Sequence, residues 1–192
     1  MRICVFCGSS DKVADHYKQA AADFGRLMAG QGIGLVYGGG SIGLMGAIAD
    51  AVVDAGGDVT GIIPKKLADA EVANEKVTDL RIVTSMHERK AMMADLSDAF
   101  VSLPGGIGTF EELFEAWTWA QLGYHSKPCA ILNVGGFYDQ MSAFLDKVVS
   151  DGFLRPNHRD MLIFSNDPKD LLDQIHAYKA PETHKLMERE EL

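Results

Sequence analysis

Short apolar runs alternate with amphipathic stretches of helical length along most of the chain. Arg2–Cys7, Gly34–Tyr37, Val59–Ile63, Leu80–Val83, Ala99–Leu103, Pro128–Asn133 and Leu162–Phe164 predict strands. Asp15–Gln31, Ile42–Ala55, Met86–Ser97, Gly108–Leu122, Phe137–Ser150 and Pro168–Tyr178 predict helices. Lys65–Thr78 is polar and reads as a loop, and the charged stretch 179–192 reads as a tail, frayed or helical. Strands that alternate with helices imply βαβ units and a parallel sheet. Runs such as Ile33–Tyr37 and Ala130–Leu132 are apolar without alternation, as strands covered on both faces are. The expected fold is α/β, a doubly wound parallel sheet with helices on both faces, in a single domain over 1–178. Ligands in such sheets bind at the carboxyl ends of the strands.

Composition narrows the partners. The 192 residues, 47% hydrophobic and 23% charged, suit one globular domain with a sizeable core. With 18 Lys and Arg against 27 Asp and Glu the net charge is −9, which argues against nucleic-acid binding or an anionic membrane surface. A small phosphorylated ligand stays compatible, because a local pocket can oppose the global field. The N-terminal apolar run is too short for a signal peptide, and no window approaches the roughly 18 apolar residues of a membrane helix. Cys4, Cys7 and Cys129 form a sparse, odd set that points to a reducing, cytoplasmic compartment. Cys4 and Cys7 spell C-x-x-C, but in a strand they face opposite sides and read as buried core thiols. No metal site is expected.

Three strand ends are rich in small residues: Gly8-Ser9-Ser10, Gly38-Gly39-Gly40-Ser41-Ile42-Gly43 and Pro104-Gly105-Gly106-Ile107-Gly108-Thr109. Glycine lets backbone N–H groups approach a ligand, and a helix N-terminus beyond adds unpaired donors, so each loop is a candidate phosphate cradle. Gly38-x-Gly40-x-x-Gly43 spells the dinucleotide fingerprint, yet the next strand ends in Pro64-Lys65-Lys66 and not in the acid that holds the ribose of NAD. Lysines there suit an NADP phosphate, so a nicotinamide oxidoreductase stays open as an alternative. No G-x-x-x-x-G-K-[ST] sequence occurs.

Arg89 shares a helix face with Met93 and Leu96, so it points along a stripe fit for the core and calls for a carboxylate or phosphate. Thr109-Phe110-Glu111-Glu112-Leu113-Phe114-Glu115 opens the helix after the third loop. Glu111 suits the helix dipole. Glu112 and Glu115, three apart on one face, lie a turn beyond the cradle. A carboxylate there fits the sugar of a nucleotide, whose hydroxyls it can bind or whose oxocarbenium-like charge it can stabilise as an N-glycosidic bond breaks.

Met86-His87-Glu88-Arg89-Lys90, followed by Pro104-Gly105-Gly106-Ile107-Gly108-Thr109-Phe110-Glu111-Glu112, resembles the LOG (Lonely Guy) family of cytokinin riboside 5′-monophosphate phosphoribohydrolases. The likeness extends through Cys4–Ser10, Gly38–Met45, Trp117–Gly123 and Asp151-Gly152-Phe153. It implies a Rossmann-like fold, a homodimer, no cofactor, and hydrolysis of N6-modified AMP or AMP itself to free base and ribose 5-phosphate. Arg89 and Glu112 match the family's catalytic pair. Lys90, the stretch Gly106, Ile107, Gly108, Thr109, Phe110 and Glu111, and Thr118 match substrate contacts. Glu71 matches a further acidic contact, with Glu75 the fallback. A non-catalytic carrier of the same fold, similar to molybdenum cofactor carrier proteins, is the alternative. Such a protein needs cradles but not the Arg89–Glu112 pair. Relatives often bear the label lysine decarboxylase, a chemistry that needs pyridoxal and a Schiff-base lysine, for which one small domain leaves little room.

Overall fold

Along Arg2–Phe6 (β1) side chains alternate between two faces, and the chain beyond follows that division. A computed structural model describes residues 1–71 and 73–181, apart from the side chains of 69–71. Ile3, Val5 and Cys7 point into one core layer, Cys4 and Phe6 into the other. The C-x-x-C spelling therefore separates two buried thiols onto opposite faces. The first layer is closed by the helices Asp15–Gly30 (α1) and Gly43–Asp54 (α2), through Phe24, Met28, Leu44 and Ile48.

The remaining elements are the strands Gly34–Tyr37 (β2), Val59–Pro64 (β3), Asp79–Val83 (β4), Ala99–Ser102 (β5), Cys129–Leu132 (β6) and Leu162–Ser165 (β7), with helices Lys65–Glu71 (α3), Met86–Asp95 (α4), Ile107–Gln121 (α5), Asp139–Ser150 (α6), Pro156–Arg159 (α7) and Pro168–Ala177 (α8). Leu171, Leu172 and Ile175 bring α8 to the first layer, and Met93, Leu113, Trp117 and Leu145 bring α4, α5 and α6 to the second. All strand pairs are parallel, in the order β4-β3-β2-β1-β5-β6-β7, with Cys4 opposite Val36 on one side and Phe100 on the other. This is a Rossmann-like, doubly wound sheet. The winding reverses between β1 and β5, and the loops after those strands flank the crevice where such sheets bind ligands.

One expected loop is a helix. Lys65–Thr78 begins with the seven residues of α3, which are too few and too polar to show a helical period. The 182–192 part of the expected tail lies outside the described residues.

Candidate functional site

The three glycine-rich strand ends do different work. The loop after β1 lies on the N-terminus of α2: Leu44 and Met45 N–H donate to the Gly8 carbonyl at 2.9 and 3.4 Å. The Gly43 N–H donates to Asp11 Oδ1 at 3.1 Å. The donors that open α2 are spent inside the protein, so the Gly38–Gly43 loop is not the phosphate cradle that its spelling suggests. Gly43 has φ +65°, and a Cβ there would stand 2.7 Å from the Ser9 carbonyl carbon and 2.8 Å from the Gly8 and Ser10 oxygens. Gly43→Ala should cost roughly 1–3 kcal/mol and lower the thermal midpoint by about 2–12 °C. A midpoint unchanged from wild type in a calorimetric scan would contradict this packing.

The loop after β5 keeps its donors. Gly106 is the N-cap of α5 and supplies no capping side chain. The first bond back to the loop runs from Phe110 N–H to the Gly106 carbonyl at 3.1 Å. The amides of Ile107, Gly108 and Thr109 precede it and have no intrahelical partner. They adjoin a cavity of about 280 Å³ lined also by Cys7, Gly8, Ser9, Met45, Arg89 and Glu112. With the dipole of a 15-residue helix behind them, these donors suit an anion.

Arg89 and Glu112 form the wall of that cavity. Ser85 caps α4 by accepting the Glu88 N–H at 3.1 Å, and Glu88 Oε2 accepts the Thr84 N–H and hydroxyl at 2.7 Å. This fixed start places Arg89, the fourth helical residue, against the ends of β2 and β3. Its Nε donates to the Ile62 carbonyl at 3.2 Å and its Nη2 to the Gly38 carbonyl at 3.3 Å. Nη1 lies 3.6 Å from Glu112 Oε1, and both side chains are 7% exposed. Burial raises the Glu112 carboxyl to about 7, with Arg89 opposing the rise and Glu111 and Glu115 adding to it. A carboxyl raised toward neutrality beside a helix end with free backbone donors is suited to work on a substrate.

The expected site residues divide. Arg89, Glu112, Gly106, Ile107, Gly108 and Thr109 line the one cavity. Lys90 does not: its Nζ is held by Glu111 Oε1 at 2.7 Å and Glu115 Oε1 at 2.8 Å. Phe110 is half-buried and meets Tyr138 edge-on at 5.9 Å, away from the cavity lining. Thr118 is exposed, about two and a half turns along α5 from Thr109. The Glu71 side chain lies outside the described residues, and Glu75 is exposed. Sequence reasoning missed Cys7 and Met45 as lining residues; their places next to Gly8 and inside the first turn of α2 were the available signal. Beside this cavity, and sharing Gly8, Ser9 and Gly106 with it, lies an apolar one of about 340 Å³ with Val13, Tyr17, Leu44 and Phe137 on its walls. Among the described residues no three His, Cys, Asp or Glu side chains are grouped to hold a metal ion.

A family model described as "Possible lysine decarboxylase" matches residues 45–175. The chain is 51% identical over 177 residues to the probable cytokinin riboside 5′-monophosphate phosphoribohydrolase LOGL9 of Oryza sativa subsp. japonica, covering 92% of this chain and 78% of that protein. It is 50% identical to the cytokinin riboside 5′-monophosphate phosphoribohydrolase LOG3 of Arabidopsis thaliana, covering 92% of this chain and 82% of that one. Among solved structures, the molybdenum cofactor carrier protein of Chlamydomonas reinhardtii superposes with a TM-score of 0.70 at 20% identity, over 92% of this chain and 98% of the other. The molybdenum cofactor binding protein of Rippkaea orientalis gives the same TM-score and identity, over 92% and 95%. At that identity the likeness is one of fold.

Proposed function

The chain belongs to the LOG family of cytokinin riboside 5′-monophosphate phosphoribohydrolases, and from that premise we propose that its reaction runs in the Arg89–Glu112 cavity. The reaction is hydrolysis of the N-glycosidic bond of cytokinin riboside 5′-monophosphates, and we extend it to AMP. Water adds at C1′, the C1′–N9 bond breaks, and the base leaves with a proton, giving free base and ribose 5-phosphate. The amides of Ile107, Gly108 and Thr109 receive the 5′-phosphate. Glu112, as the carboxylate, faces the positive charge that grows on the ribose as the bond opens. Arg89 holds Glu112 in place and keeps part of it ionised at neutral pH. On this reading kcat/KM falls as pH drops below about 7, as Glu112 protonates.

The observation that carries the reading is the buried Arg89–Glu112 pair beside an uncapped helix end. A nucleotide carrier needs the helix end but has no use for a carboxyl poised near neutrality beside it. The description "lysine decarboxylase" belongs to the matched model alone, whereas the relatives at half identity carry the phosphoribohydrolase name. Incubating the protein with AMP and with isopentenyladenosine 5′-monophosphate tests the proposal. Free base and ribose 5-phosphate in equal amounts are expected; nucleotide that binds yet stays intact would favour the carrier.

Residues 1–178 form the catalytic domain in this proposal, acting as a homodimer in the cytoplasm. The buried free thiols of Cys4, Cys7 and Cys129 suit a reducing compartment. Ile107, Glu111, Phe114 and Thr118 share one outward stripe of α5, and Ile107 is 82% and Phe114 37% exposed. Met86, next to Arg89 on α4, is 42% exposed. A second copy that covers this apolar margin in a two-fold arrangement would bury the α5 stripe on which Thr118 lies. Light scattering at micromolar concentration should give twice the 20.8 kDa chain mass. A monomer mass would refute the dimer.

A further inference from the structure

We propose that Gly38 is a positioning residue for the reaction: the absence of a side chain at the end of β2 creates the seat from which Arg89 reaches Glu112. This rests on the phosphoribohydrolase reading of the cavity and deepens it. Three consecutive glycines follow β2, and the first two are glycine for different reasons. Gly39 has φ +78°, which L-residues rarely adopt. Gly38 is not among the glycines with positive φ, so any residue fits its backbone. Space is the obstacle. A Cβ at Gly38 would overlap Arg89 Nη2, stand 3.2 Å from Arg89 Cζ and 3.3 Å from Met45 Cε.

The three atoms nearest to that Cβ all belong to the far ends of flexible side chains. The fold can therefore absorb a methyl group by swinging the guanidinium away, and what is lost is its position. The seat itself consists of two carbonyls at adjacent strand ends, Ile62 on Nε and Gly38 on Nη2, which leave Nη1 between Glu112 Oε1 at 3.6 Å and Met86 Sδ at 3.9 Å. A methyl at Gly38 dislodges the second of these bonds and with it the Nη1 approach. The charged and titratable groups that act on Glu112 are Arg89 and Lys90 from α4, Glu111 and Glu115 on α5, and the Cys4 and Cys7 thiols of the β1 segment. Burial keeps both thiols protonated, and Lys90 is engaged by Glu111 and Glu115. Arg89 is the cation set against Glu112, so moving it lets the carboxyl rise further.

The test compares Gly38→Ala, Arg89→Ala and the double variant with wild type. It reads kcat/KM for AMP against pH, thermal unfolding, and the titration of the 13C-labelled Glu112 carboxyl by NMR. Gly38→Ala is expected to fold with a midpoint close to wild type and to lose about 10²-fold in kcat/KM, the scale of a 1 Å misplacement. Its acidic limb and its carboxyl titration both move to higher pH. In the Arg89→Ala background the same substitution adds no further loss, because the two act as one unit. Wild-type rates and limb in Gly38→Ala would overturn the proposal, as would an equal loss without Arg89, or a protein that fails to fold. Should wild type hydrolyse no 5′-monophosphate, the function reading fails, and the carboxyl titration still decides the seat: a rise in Gly38→Ala supports it and no change refutes it.

Discussion

Glu112→Gln is expected to lower turnover of AMP by about 10²–10⁴ while the nucleotide still binds. The substitution keeps the size of the side chain and most of its hydrogen bonding, and removes the negative charge. A charge that acts mainly on the developing oxocarbenium ion contributes to the transition state and little to the ground state, so the loss falls on kcat. Arg89→Ala behaves differently. It leaves a carboxyl buried at 7% exposure without its cation, so Glu112 takes up a proton at neutral pH and both binding and turnover suffer. Near-wild-type turnover in Glu112→Gln would remove Glu112 from the reaction. Glu115, on the same helix face, is a poor replacement because Lys90 holds it at 2.8 Å.

Removing the phosphate is the second large effect. Adenosine should be a worse substrate than AMP by about 10²–10⁴ in kcat/KM. The Ile107, Gly108 and Thr109 amides and the Thr109 hydroxyl, which is 4% exposed with its residue, would be left without the anion they face. Unpaired donors cost roughly 1–3 kcal/mol each, but Ile107 and Gly108 are exposed and water replaces part of what their amides lose. A net loss of about 3–6 kcal/mol, below the full sum for four donors, converts to that range. Diphosphates and triphosphates should also be poor substrates if one phosphate fills the helix end. Equal turnover of adenosine and AMP would show that the α5 terminus does not hold the phosphate.

Most strands were legible because they are continuous apolar runs buried on both faces, and their alternation with helices fixes a parallel sheet; β4, at the sheet edge, carries Asp79 and Arg81 and is only partly buried. α3 was not legible, since Lys65–Glu71 has no apolar period and follows directly on Pro64. At the site, Arg89 stood out as a cation on an otherwise apolar helix face, whereas Glu112, which shares its face with Glu115, was singled out by its place a turn beyond the glycine loop and paired with Arg89 by the family resemblance. The role of Gly38–Gly43 could not. A glycine that frees a donor for a ligand and one that clears space for a neighbour are spelled alike, and here Gly43 clears space for the β1 loop and Gly38 for Arg89. Lys90 follows Arg89 in sequence, but about 100° of helical rotation turns it from the cavity toward the carboxylates of α5. Thr118 has no role within one chain that a sequence pattern could distinguish from an exposed helix position.

In the proposed reaction one cavity holds the phosphate at the start of α5 and the glycosidic carbon at Glu112. A crystal structure of the Glu112→Gln protein with AMP measures this directly. Phosphate oxygens are expected within about 3.2 Å of the Ile107, Gly108 and Thr109 nitrogens. The ribose is expected between Arg89 and the substituted side chain, with its C1′ facing the latter. A phosphate bound at the Gly38–Gly43 loop, or a ribose directed away from Arg89, would rule this arrangement out.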